Sequence, residues 1–118
     1  MRAALYPLET VWALIPPTSS GLKPKFNVTK SADIVSDALD LTLSDAKDFI
    51  YQTIRDLTAN DFCETLPLPP PPADLYAVER ERRSWYIKFK VLTPPQLEVC
   101  GFHPPERPLR TCVGTTIK

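Results

Sequence analysis

The sequence predicts an α+β domain in which N-terminal helices pack on one face of a C-terminal antiparallel sheet. Three observations carry this. Between residues 7 and 57 the apolar side chains recur at helical spacing. Between residues 75 and 102 they recur with a period of two, in runs joined by short connections. The two patterns occupy separate halves of the chain, unlike the strand–helix alternation that builds a parallel sheet. With 118 residues, 43% of them apolar, a single domain over 1–118 has enough chain for one core without disulfides.

The elements follow in order. Pro7 suits the first turn of a short helix running to about Ile15, with Leu8, Val11, Trp12 and Ile15 on one face; Pro16-Pro17 stops it. Thr18 to Pro24 reads as a loop and Lys25 to Val28 as a short strand. Thr29 or Ser31 caps a second helix whose apolar set is Ala32, Ile34, Val35, Ala38 and Leu39. Thr42 followed by Asp45 resembles a capping box and opens a third helix, with Leu43, Ala46, Phe49, Ile50, Ile54 and Leu57 at helical spacing. Thr58 and Asp61 cap a further turn through Phe62. The proline-rich connection at 67–72 reads as a stiff polyproline II spacer. Strands are expected over Leu75–Arg80, Trp85–Leu92 and Leu97–Phe102, with turns at Glu81–Ser84 and Thr93–Gln96. Consecutive strands with such short connections pair antiparallel.

Composition excludes several classes. The three glycines cannot build a G-x-G-x-x-G turn or a P-loop. Three cysteines, Cys63, Cys100 and Cys112, with one histidine make no standard zinc site, so neither metal nor cofactor is expected. No run approaches the ~18–20 apolar residues of a membrane span. The first fifteen residues carry Glu9 and Pro7 and lack an Ala-x-Ala site, which makes a poor signal peptide. A cytoplasmic protein without membrane partners is expected. The fourteen basic and fourteen acidic side chains cancel, yet residues 31–61 sum to −5 and residues 80–118 to +5. A polyanion would approach the sheet side.

Strict alternation in Trp85–Val91 puts Trp85, Ile87, Phe89 and Val91 on the helix side and Tyr86, Lys88 and Lys90 on the other. Two ammonium groups suit phosphate, and a phenol can stack on a base or pass a proton. An ordinary solvated sheet face carries the same alternation, so pattern alone leaves both readings open. His103 ends the third strand at the sheet rim. If Phe102 points inward, His103 faces the side bearing Tyr86, and its imidazole suits acid–base work near neutral pH. Arg80, Arg82 and Arg83 belong to a hairpin tip, read either as a solvated turn or as an RNA backbone clamp.

The order of segments from Phe26 to His103 resembles the MqsR (motility quorum-sensing regulator) family of toxin ribonucleases. The residues that carry the resemblance are Val28-Thr29-Lys30-Ser31-Ala32, Leu39-Asp40-Leu41, Asn60-Asp61-Phe62-Cys63-Glu64, Asp74-Leu75-Tyr76, Tyr86-Ile87-Lys88 and Gly101-Phe102-His103. No single motif is specific; the ordered set and its spacing carry the weight. The resemblance implies a RelE-like fold, endoribonuclease activity and a cognate antitoxin. It maps the family's site onto Glu64, Ala73, Tyr86 and His103. Of these only Tyr86 keeps the family residue: Glu64 and His103 stand where the family has lysines, and Ala73 where it has glutamine. The tail Pro104–Lys118 has no counterpart.

The expected activity is metal-independent RNA cleavage by ribose 2′-OH attack. Tyr86 and His103 are the candidate catalytic residues; Lys88, Lys90, Arg82 and Arg83 are the candidate RNA-binding residues. The partners would be RNA and an antitoxin. A catalytically degenerate homologue that binds RNA or protein is the alternative, and a structural protein with a plain solvated sheet face a third reading.

Overall fold

A computed structural model describes residues 3–15, 26–27, 29–67, 70–92 and 96–118. The helices are α1 (Leu8–Ala13), α2 (Thr29–Leu39) and α3 (Leu43–Arg55), with a 3-10 turn at Ala59–Asp61. The strands are β1 (Phe26–Asn27), β2 (Phe62–Leu66), β3 (Ala73–Arg80), β4 (Arg83–Leu92), β5 (Gln96–His103), β6 (Leu109–Arg110) and β7 (Thr116–Ile117). The expected α+β class is the one observed. Strands β2 to β5 pair antiparallel in the order β5-β4-β3-β2, and β1 joins the β5 edge in parallel. Among the described residues no helix is long and apolar enough to cross a membrane.

The helices cover one face, the inner one. Ile50 and Ile54 of α3, Val35 of α2 and Val11 of α1 share a core with Trp85, Ile87, Phe89, Leu97 and Phe102, all with zero exposure. Phe49 bridges the layers, tilted on Trp85 at 5.4 Å and edge-on to Phe102 at 6.0 Å. Indole N–H groups buried here need acceptors. Trp12 Nε1 donates to the Ile54 carbonyl at 2.9 Å, and Trp85 Nε1 to the Arg80 carbonyl at 3.0 Å. Asp74, fully buried, accepts from the Leu5 and Tyr6 backbone N–H groups at 3.1 and 2.8 Å and from the Thr65 hydroxyl at 2.6 Å, fastening the N-terminal segment to the sheet.

Local signals in the helices hold where the sequence is explicit. Thr42 caps α3, accepting from the Asp45 N–H at 3.1 Å, and Thr58 with Asp61 forms a complete capping box. Several boundaries differ. Pro7 is the N-cap of α1 and the helix ends at Ala13, although Ile15 is still buried. Helix α2 begins at Thr29, so Ser31 lies within its first turn and is not its cap. Leu43, in the first turn of α3, is 52% exposed and stays outside the core. Val91 is only half-buried, packed at the margin of the core.

Three corrections concern the sheet. Residues 62–66 form a strand, β2, where a turn was expected to end at Phe62. Leu68 and Pro69 of the proline-rich 67–72 connection lie outside the described residues, but the residues flanking it stand closer than a stiff spacer would hold them. Leu66 pairs with Ala73 across the β2–β3 ladder, whereas six residues of polyproline II would hold them about 20 Å apart. It is a hairpin connection. The turn between β3 and β4 is also tighter than expected: Arg80 pairs with Arg83, leaving a two-residue loop of Glu81 and Arg82. The expected loop at 18–24, the Pro16-Pro17 stop and most of the 93–96 turn lie outside the described residues, as do Lys25 and Val28 at the ends of the expected first strand.

The tail supplies what the sequence did not announce. Strands β6 and β7 form a small hairpin that packs on the outer face of the sheet. Ile117 shares a second cluster there with Cys63, Leu75 and Ala77, and Leu66, Tyr86 and Leu109 flank it. The outer face is therefore covered over β2 and β3, and open over β4 and β5.

Candidate functional site

The open part of the outer face is built by β4 and β5. Register fixes its contents: Tyr86 pairs with His103, and Lys88 with Gly101. Phe89 then pairs with Val99, so Cys100 is an extra residue, a β-bulge. The bulge keeps Leu97, Val99 and Phe102 in the core while Cys100, Gly101 and His103 face outward.

As the alternation predicts, Tyr86, Lys88 and Lys90 share this face, while Trp85, Ile87 and Phe89 are buried. The Tyr86 and His103 rings stack, with centroids 4.6 Å apart and planes 14° from parallel. Lys88 Nζ lies 5.8 Å from the Tyr86 ring centroid. One face of the phenol ring is thus taken by the imidazole, and a base can stack there only by displacing it.

His103 Nδ1 lies 2.8 Å from the Pro104 carbonyl oxygen. A carbonyl only accepts, so Nδ1 carries hydrogen and donates. The lone pair of a neutral His103 is then on Nε2. The Nε2–Cδ2 edge passes over Gly101, which has no side chain to cover it: a Cβ placed there would be 3.7 Å from both atoms.

The tail completes the site. Tyr86, His103, Glu106, Arg107 and Leu109 line a cavity of about 220 Å³. Glu106 and Arg107 bring a carboxylate and a guanidinium to the stack, and sequence reading missed both. The signal available was position alone: three and four residues beyond the strand end, between Pro104-Pro105 and Pro108, they have little freedom to leave the His103 rim.

Other candidates fall elsewhere. Lys90 Nζ lies 3.8 Å from Glu98 Oε2 along the same face. Arg82 is in the hairpin turn and Arg83 shares the register parity of Trp85, which puts it on the helix side of the tip and away from the stack. Arg80 is committed to Asp56 at 2.6 Å, over the Phe49 ring. The Cys100 thiol titrates above its usual range, chiefly from burial and then from Glu98, against the opposing Lys90 and Lys88. It is a poor nucleophile at neutral pH. Among the described residues no three His, Cys, Asp or Glu side chains converge to hold a metal ion.

The positions singled out by the family resemblance occupy one face. Glu64, Leu75, Lys88 and Gly101 form a cross-strand row, and Ala77, Tyr86 and His103 form the next. Ala73 has the same parity as Leu75. Glu64 and Ala73 do not line the Tyr86–His103 cavity, however. The tail cluster stands over β2 and β3 on their side of the sheet. No protein-family model, curated protein or solved structure matches this chain.

Proposed function

We propose that this chain is a metal-independent endoribonuclease, the toxin of a type II toxin–antitoxin pair with a RelE-like fold, acting on RNA in the cytoplasm. The observation that carries the reading is the His103 arrangement. Its Nδ1 faces the Pro104 carbonyl, its Nε2–Cδ2 edge lies over Gly101, it lines the cavity, and it stacks on a phenol with Lys88 beside it.

In the reaction, a ribose 2′-OH attacks the adjacent 3′-phosphorus and the bond to the 5′-oxygen breaks. The products are a 2′,3′-cyclic phosphate and a 5′-hydroxyl. His103 Nε2 accepts the 2′-OH proton in its neutral form. Tyr86, or the His103 imidazolium formed in that step, supplies the proton that the leaving 5′-oxygen needs. Lys88 and Arg107 hold the phosphate as negative charge builds on its oxygens. The nucleophile belongs to the substrate, so the chain needs to supply only proton transfer and positive charge.

A second reading has a specific observation behind it. Ala73 offers no chemistry and Glu64 lies outside the cavity, so two of the four positions indicated by the resemblance contribute nothing to the stack. On that reading the chain is a degenerate homologue that binds RNA without cutting it.

The deciding experiment is purified protein with a long RNA in EDTA. Cleavage with 2′,3′-cyclic phosphate ends is expected, abolished by 2′-deoxy substitution at the cut. His103→Ala should slow it by about 10²- to 10⁴-fold, the usual worth of one acid or base. Lys88→Ala should instead weaken RNA binding and flatten its salt dependence by about one contact. RNA that is bound but never cut selects the binding module.

A further inference from the structure

The helical side of the molecule carries a second cavity, of about 460 Å³, separate from the Tyr86–His103 site. It forms where the α2–α3 connection, the first turns of α3 and the tip of the β3–β4 hairpin meet. Its floor and its mouth differ in chemistry. Leu39, Leu41 and Phe49, all half-buried, make the floor; Asp45, Asp48 and Glu81, all exposed, stand around it. The ion pairs Arg80–Asp56 and Lys90–Glu98 involve other groups. Asp33, Asp37 and Asp40 are exposed on the same acidic 31–61 segment.

Charge decides between occupants. Among the described residues the lining holds three carboxylates and no cation, which disfavours RNA or an anionic lipid surface; Arg80, over the Phe49 ring, is engaged by Asp56, and Arg82 and Arg83 at the hairpin tip are not part of the lining. A neutral apolar molecule would satisfy the floor and leave the carboxylates unanswered. A chain segment with an apolar side chain next to lysines or arginines satisfies both, because a long cationic side chain lays its stem on apolar surface and keeps its head among the carboxylates.

We propose that this cavity docks a basic amphipathic segment of a partner protein. It lies on the inner side of the sheet, and the Tyr86–His103 stack lies on the outer side, so partner and RNA occupy opposite faces. The inference does not depend on the nuclease reading.

The test is a titration of the full ¹⁵N-labelled chain at low salt with the acetylated peptide Lys-Leu-Arg-Lys-Leu-Leu-Arg. Two control peptides replace all its cations by glutamate, or all its leucines by serine. Saturable amide shifts are expected at Leu39, Leu41, Asp48, Phe49 and Glu81, and none at Tyr86 or His103. Both controls should bind about tenfold more weakly or worse, as should Asp45→Asn with Asp48→Asn, since two exposed ion pairs are lost. Both aspartates are exposed and the double variant should fold; Glu81→Gln is the second variant if it does not. Absence of shifts, shifts at another surface, equal binding by the acidic peptide or an unchanged double variant would each overturn the proposal. So would displacement of the peptide by an RNA oligonucleotide. Self-association abolished by the same double variant would assign the cavity to a second copy and overturn it too.

Discussion

Gly101 governs how closely the stack lies on the β5 backbone. A Cβ at this position would meet Tyr86 Cε1 at 3.4 Å and the His103 ring at 3.7 Å, which is ordinary van der Waals contact. Gly101→Ala should therefore be accepted, with stability changed by no more than about 0.5 kcal/mol. Gly101→Val adds γ-carbons that must enter the ring space. Its His103 ring protons should lose the upfield shift caused by the Tyr86 ring, and RNA cleavage should fall with them while the fold persists. A valine variant that keeps its activity would show that the stack is incidental. Tyr76 offers a second test at this scale. It stacks on Phe89 at 5.3 Å and meets Phe62 edge-on at 5.6 Å. Burial, then the charges of Asp74 and Asp61, push its phenol well above the ordinary value of 10.0. Tyr51 and Tyr6 are raised as well, again mainly by burial. In the unfolded chain these phenols ionise near 10, while the folded chain still holds their protons. Stability should thus be flat below about pH 9.5 and fall as the pH climbs past about 10. Urea midpoints measured across that range should fall less steeply for Tyr76→Phe; an unchanged slope would remove Tyr76 as a source.

The β3–β4 turn is where an element departs most from its local preference. Glu81 and Arg82 sit at φ 57° and 60°, both in the left-handed region. Two-residue hairpin turns with this geometry favour Asn-Gly, because other side chains crowd the following carbonyl at roughly 1–2 kcal/mol per residue. Glu81→Asn with Arg82→Gly should raise stability by about 1 kcal/mol, after the glycine's extra unfolded-state entropy is subtracted. Denaturant midpoints would check this, and no gain would mean that the flanking pairs already absorb the strain. The same element explains which parts of the fold were legible. Helix α3 could be read because its information is local: a Thr42 cap and an apolar repeat within thirteen residues. Strand β4 could be read because alternation persists from Trp85 to Phe89. Strand β2 could not, since its five residues have too little pattern and it forms by pairing with β3 across a proline loop. The two-residue strands of the tail carry no signal at all; they exist because Ile117 and Leu109 find apolar partners on the sheet. For the same reason Tyr86, Lys88 and His103 were within reach of sequence reading, and Glu106 and Arg107 were not.

At the scale of the whole molecule, one sheet supports a different layer on each face. The inner layer holds the large core, and the outer layer is a small cap that ends in the wall of the candidate site. The cap is attached by Ile117 and Leu109 on Cys63, Leu75 and Ala77, and by Cys112, whose N–H donates to the Phe62 carbonyl at 2.7 Å and whose thiol donates to the Ala59 carbonyl at 3.3 Å. Removing residues 109–118 takes only Cys112, at its margin, from the helical core, so a cooperative fold should survive. It should lose the burial of Ile117 and part of Leu109, about 2–4 kcal/mol at the usual worth of such side chains. The bared Cys63, Leu75 and Ala77 should bind a hydrophobic dye. Ile117→Ala should give a smaller loss, about 1–2 kcal/mol, because it uncovers the patch only in part. The truncation also takes Leu109 from the cavity while leaving Tyr86, His103 and Arg107 in the chain. If the cap serves only stability, cleavage measured well below the lowered melting temperature should match that of the full chain. If it holds Glu106 and Arg107 against the stack, cleavage should fall while peptide binding on the helical face stays intact, because that cavity draws no residue from the tail. A truncated chain that melts at the original temperature would mean that the outer cluster stabilises nothing, and the tail would have to be read as a functional strap alone.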